Sequence, residues 1–60
     1  MTPDEIKQLR QRLGWTQLQL AVEIGVDPMT VSRWERGKQP SKLALRALLQ
    51  LQQRLARPRK

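Results

Sequence analysis

Thr16-Gln17-Leu18-Gln19-Leu20-Ala21-Val22-Glu23-Ile24-Gly25-Val26-Asp27-Pro28-Met29-Thr30-Val31-Ser32-Arg33-Trp34-Glu35-Arg36-Gly37 is the stretch that decides the fold. Thr16 followed three residues later by Gln19 is a capping box, the signature of a helix start. Leu20, Ala21 and Ile24 then share an inward face, and Gly25 supplies a left-handed stop. Asp27-Pro28 places a cap residue before a first-turn proline. The helix it opens carries Val31 and Trp34 inward and stops at Gly37. Only Gly25-Val26-Asp27 separates these two short helices. A glycine-containing turn of that length forces a steep crossing, as in a helix-turn-helix unit, with Val26 as the buried residue that fixes the angle. Spacing alone leaves other corners between two helices open.

The same punctuation continues outward. Upstream, Thr2-Pro3-Asp4-Glu5 supplies an N-cap threonine, a first-turn proline and a glutamate at the third helical position, another capping box. Ile6, Leu9 and Leu13 recur at i, i+3 and i+7 before Gly14 ends that helix. Downstream, Gln39-Pro40-Ser41 is a loop whose serine caps a helix predicted from Lys42 to about Ala56. Arg57-Pro58-Arg59-Lys60 reads as a frayed basic tail. No repeat, low-complexity tract or strand-like alternation interrupts the pattern. The expected fold class is all-α: one compact four-helix domain over residues 1–56, with the helix-turn-helix at the second and third helices, and a tail at 57–60.

Sixty residues allow a single core. Histidine and cysteine are absent, which removes disulfides, thiolate chemistry, the usual zinc sites and imidazole acid–base catalysis. No metal, cofactor or small-molecule ligand is implied. No apolar run approaches the roughly 20 residues of a membrane span, and Met1 leads into polar residues without an apolar signal region. The expectation is a soluble chain with nothing suggesting export. Twelve Lys and Arg against five Asp and Glu leave +7, unevenly distributed. Residues 1–12 carry three bases and two acids (+1), residues 13–35 one base and three acids (−2), and residues 36–60 eight bases and no acid (+8). A wholly basic second half is an electrostatic footprint for a polyanion, and nucleic acid and an anionic membrane surface both satisfy it.

Taken in order, Thr16-Gln17, Leu20-Ala21, Gly25-Val26, Val31-Ser32-Arg33-Trp34-Glu35-Arg36-Gly37 and Pro40 resemble the Cro/lambda-repressor-like (Xre-type) helix-turn-helix family. The resemblance runs from Asp4 to Leu55, and the segment from Pro28 to Gly37 is similar to antitoxin-type modules of the MqsA-like kind. It implies that the helix from Pro28 to Arg36 is a recognition helix for the major groove of double-stranded DNA, and that positions matching Met29 and Arg33 reach base edges. Read from the residues themselves, Met29, Thr30, Ser32, Arg33 and Arg36 point away from the Val31/Trp34 face. A guanidinium at Arg33 suits guanine O6 and N7 in a fork, and Met29 suits a thymine methyl. Met29, Thr30, Ser32 and Arg33 are therefore the candidate base contacts. The plain alternatives are a solvated helix arginine and a partly buried helix-start methionine.

Gln17 matches the family position that bonds a phosphate with side chain and amide, at a helix N-terminus that favours anions. Arg36, Lys38, Ser41 and Lys42 complete the candidate phosphate contacts. Ser41 as a simple cap needs no DNA. The resemblance also implies an ion pair between Arg10 of the first helix and Glu35, which would tie the recognition helix down; two independent surface charges are the alternative. Two departures stand out. Relatives often begin the recognition helix with a glutamine that packs on the one matching Gln17, where this chain has Asp27-Pro28. Many relatives also dimerise through a fifth helix, whereas this chain ends after four, so another surface is expected to hold a dimer.

The leucines of the fourth helix cannot all share one stripe of about 100°. Ala44, Leu48, Leu51 and Leu55 cover one face, while Leu45 and Leu49 lean toward another. Leu45, Leu49 and Leu55 are the candidate dimer or partner surface. Leu18 and Val22 form a second apolar pair, off the Leu20/Ile24 face, that nothing in the sequence accounts for. An enzyme is the least supported class, because the five carboxylates take capping, first-turn, paired or solvated places and form no convergent pair. Membrane-surface binding is disfavoured by Arg46 within the apolar run and by the lack of an aromatic anchor. The serious alternative is a protein-interaction module on the same fold. The expectation is a sequence-specific DNA-binding transcriptional regulator, bacterial or phage-encoded, cytoplasmic and nucleoid-associated when bound. It would act as a repressor or antitoxin-like autoregulator, a homodimer on a palindromic operator.

Overall fold

Hydrogen-bonded caps set where the helices begin in the computed structural model, which describes residues 1–56. The basic tail expected at residues 57–60 lies outside the described residues. Helix α1 spans Pro3–Leu13, α2 Gln17–Ile24, α3 Pro28–Glu35 and α4 Lys42–Ala56, with no strand among the described residues. Thr2 Oγ1 accepts from the Glu5 amide at 3.2 Å, and Glu5 Oε1 accepts from the Thr2 amide at 2.7 Å. Thr16 and Gln19 repeat that reciprocal pair at 3.1 and 2.8 Å. Ser41 Oγ accepts from the Ala44 amide at 3.3 Å at the start of α4. The start of α3 departs from expectation. Asp27 occupies the N-cap position in extended backbone, but its side chain makes no capping bond. The Thr30 amide, a usual partner for such a cap, is already held by the Asp27 carbonyl at 2.9 Å, and Pro28 presets the first helical φ.

The helix ends are closed by paired backbone bonds. At α3, the Gly37 amide donates to the Trp34 carbonyl at 3.2 Å and the Lys38 amide to the Arg33 carbonyl at 3.0 Å. This is a Schellman closure, which makes Arg36 the cap and ends α3 at Glu35, one residue short of the expected Pro28–Arg36. In the turn between α2 and α3, Gly25 takes φ 93°, where a Cβ would be strained. The Gly25 and Val26 amides then both reach the Ala21 carbonyl, at 2.8 and 2.9 Å.

Each helix contributes to one core: Ile6 and Leu9 from α1, Leu20 and Ala21 from α2, Val31 and Trp34 from α3, and Ala44, Leu48 and Leu51 from α4. The α2–α3 pair shares the most extensive packing. Leu13, Trp15, Ile24 and Val26 pack against this core while half-buried, so Val26 wedges the turn without being fully enclosed. Leu55 follows Ala44, Leu48 and Leu51 on the same stripe, yet it is 38% exposed. Fifteen residues of α4 extend about 22 Å, whereas the eight of α2 and of α3 extend about 12 Å, so the last turn of α4 has less to pack against. Leu49 is exposed and Leu45 half-buried, while Leu43, which the sequence did not single out as surface, is 78% exposed.

Candidate nucleic-acid interface

Burial of Val31 and Trp34 fixes the rotation of α3 and so decides which of its side chains meet solvent. Met29, at 59% exposure, and Arg33 stand four residues apart on one ridge of the outer face. Ser32 and Arg36 form a second such pair, and here the structure joins two residues expected to have separate roles: Arg36 Nη2 donates to Ser32 Oγ at 2.9 Å. Thr30 and Ser32 are half-buried. Lys38 is exposed just beyond α3, with its amide pinned to the Arg33 carbonyl. Ser41 and Lys42 are exposed at the start of α4.

Behind this face lies a polar network. Arg10 Nε donates to Glu35 Oε2 at 2.7 Å and Arg10 Nη2 to Glu35 Oε1 at 3.1 Å, a two-pronged ion pair. Arg10 Nη1 donates to the Trp15 carbonyl at 3.0 Å. Gln17 Nε2 donates to Glu35 Oε1 at 3.2 Å. The Glu35 side chain keeps only 8% of its surface exposed. Burial pushes its carboxyl group up, but the bonds from Arg10 and Gln17, with the charges of Arg10 and Lys7, outweigh that and hold it below the usual carboxylate range. The hydrogen bond to Glu35 raises Arg10 in turn.

One acid on α3 thus links α1, the α1–α2 loop, the start of α2 and the end of α3. The Gln17 and Trp15 links are the parts that sequence reading missed. Gln17 was read only toward phosphate, and its side-chain amide spends one donor on Glu35, leaving its carbonyl oxygen and backbone amide for other partners. No periodicity connects residue 17 to residue 35, so only a fold-level juxtaposition finds that bond.

The outer face therefore offers guanidinium, ammonium, hydroxyl and thioether groups around a neutralised acid. Such a set suits hydrogen-bond acceptors on a polyanion. Among the described residues no group of His, Cys, Asp and Glu is placed to share a metal ion, and no helix is long and apolar enough to cross a membrane. A family model described as helix-turn-helix matches residues 6–51. No curated protein and no solved structure matches the chain.

Proposed function

The chain belongs to a helix-turn-helix family of DNA-binding regulators, and from that premise we propose that it recognises a specific double-stranded operator with α3 in the major groove. Met29, Thr30, Ser32 and Arg33 meet base edges, Arg33 taking a guanine and Met29 a thymine methyl. Gln17, Arg36, Lys38, Ser41 and Lys42 hold the flanking phosphates. The chain acts as a homodimer on a palindromic site with half-sites about one helical turn apart. Leu45, Leu49 and Leu55 supply the self-contact, and the biological role is a repressor or an antitoxin-like autoregulator.

One observation supports this above the others. Glu35, the sole acid within α3, is consumed by Arg10 and Gln17, so it does not oppose Arg33 and the cap residue Arg36, which stand exposed. A protein-interaction role is favoured by Leu18 and the 73% exposed Val22 on α2. Against it, Trp34 is buried and Trp15 half-buried, so neither serves as an open aromatic anchor.

Selection of bound sites from a random duplex library decides between them, followed by binding of the winner and a scrambled duplex at two salt concentrations. An inverted repeat bound far more tightly than scrambled DNA is expected. Recovery of no motif, with all binding collapsing in salt, would overturn the reading and leave +7 as a polyelectrolyte effect.

A further inference from the structure

The last turn of α4 stands between two grooves. The first, of about 440 Å³, is lined by buried Leu9 and by exposed Glu5 and Arg12 of α1, together with Ala56. The second, of about 270 Å³, is lined by Leu13, Trp15 and Leu51 and by exposed Glu23 and Arg54. Leu55 lines both, so at 38% exposure it is an apolar side chain with an apolar recess on each side. Gln52 and Ala56 of the first groove follow Leu49 at i+3 and i+7, which makes this surface continuous with a leucine already assigned to self-contact. Among the described residues none from α3 lines either groove, so an occupant leaves the outer face of that helix open.

Charge decides the occupant. Two copies of a chain carrying +7 repel one another, so self-association needs a face where the charge balances. These grooves form such a face: each holds one acid and one base, Glu5 with Arg12 and Glu23 with Arg54. Yet the ion pair formed among the described residues is Arg10–Glu35, so neither acid is neutralised by the base that shares its groove. In a two-fold contact a patch meets itself, residue i against j and j against i. A patch with equal acids and bases complements its own copy, whereas a partner of one charge sign meets as much repulsion as attraction. Arg57-Pro58-Arg59-Lys60 brings three more bases, with neither an acid for Arg12 and Arg54 nor a leucine for the recesses. Resting on the homodimer reading above, we infer that the grooves flanking Leu55 are the self-contact surface, occupied by a second copy of this chain. Leu55 of each copy enters a recess beside its counterpart, and Glu5 and Glu23 of one copy face Arg12 and Arg54 of the other. The contact thereby extends from α4 onto α1, the α1–α2 loop and α2.

Sedimentation equilibrium of the full chain tests this with three variants at exposed positions: Leu55→Asp, Glu5→Gln with Glu23→Lys, and Arg12→Glu with Arg54→Glu. Glutamine at position 5 keeps the capping box, and circular dichroism checks that each variant is helical. Wild type is expected to be a dimer. Each variant alone should self-associate at least about tenfold more weakly, since like charges or a buried carboxylate then meet the partner. Mixing the two charge variants should restore a dimer of wild-type strength or tighter, because the basic face of one meets the acidic face of the other. A folding defect in either is not rescued in that way. Dimers that persist in all three variants, or no recovery on mixing, overturn this surface and leave the homodimer reading on Leu45 and Leu49. A wild type that stays monomeric overturns the homodimer reading and this assignment together, and leaves the grooves to the chain's own tail or to a different protein. DNA recognition by α3 stands in every case.

Discussion

Arg33 and Lys38 sit at the two ends of one backbone hydrogen bond, yet their side chains are suited to different tasks. Arg33 rises from the middle of α3 beside Met29, where a rigid planar fork can discriminate between bases. Lys38 lies beyond the helix on the exposed loop before α4, and a compact point charge suits phosphate without discriminating between bases. Arg33→Ala is therefore expected to cost about 1–3 kcal/mol on the preferred operator and to relax preference at a single guanine, measured by binding to operators varied one pair at a time. Equal weakening on all sequences would remove Arg33 from the base contacts. Lys38→Ala should weaken every duplex alike and make the plot of log K against log salt shallower by about one. An unchanged slope would exclude a phosphate contact there. The exposed places of both residues were legible in the sequence, because they follow from helical position. The Ser32–Arg36 bond was not, since it depends on which rotamer Arg36 adopts against its neighbour.

Elements here are defined by their ends more than by their interiors. Two reciprocal capping boxes and three left-handed glycines were readable in advance because each is a local device whose residues lie within five positions of one another. The length of α4 relative to its neighbours was legible too, but not its consequence for Leu55, because where a core ends is a property of all four helices together. The α2–α3 turn shows how far a local device reaches. An added Cβ at Gly25 would meet nothing within 4 Å, so substitution there is strained by φ 93° alone. Gly25→Ala should thus destabilise the fold by about 1–2 kcal/mol, and Gly25→Asn by less, since asparagine tolerates the left-handed region. Thermal denaturation of the two variants checks this. Equal losses would show that the turn is limited by space and not by backbone conformation.

At the scale of the whole molecule, a domain of this length has a stability of about 3–9 kcal/mol, so any one polar network is a large share of it. The Arg10–Glu35–Gln17 network joins elements that the core alone also joins, and its separate contribution can be read through pH. Glu35 is held below its ordinary range in the folded chain, so between the folded and unfolded values the unfolded chain binds more protons. Stability therefore rises with pH across that window. The Glu35 contribution is present above about pH 5 and is lost as pH falls through the folded value. Glu5, lowered chiefly by its bond to the Thr2 backbone, acts in the same direction and is common to any Glu35 variant. Glu35→Gln keeps an acceptor for Arg10 but removes the charge, at a loss of about 1–3 kcal/mol near neutrality. With roughly 4–8 °C per kcal/mol in a domain of this size, the variant should melt well below wild type at pH 7. The gap should narrow as both are taken down through the folded value, because protonation removes the charge that distinguishes wild type from the variant. A gap that stays constant across pH would assign the loss to packing at residue 35, and would leave the ion pair without a stabilising role.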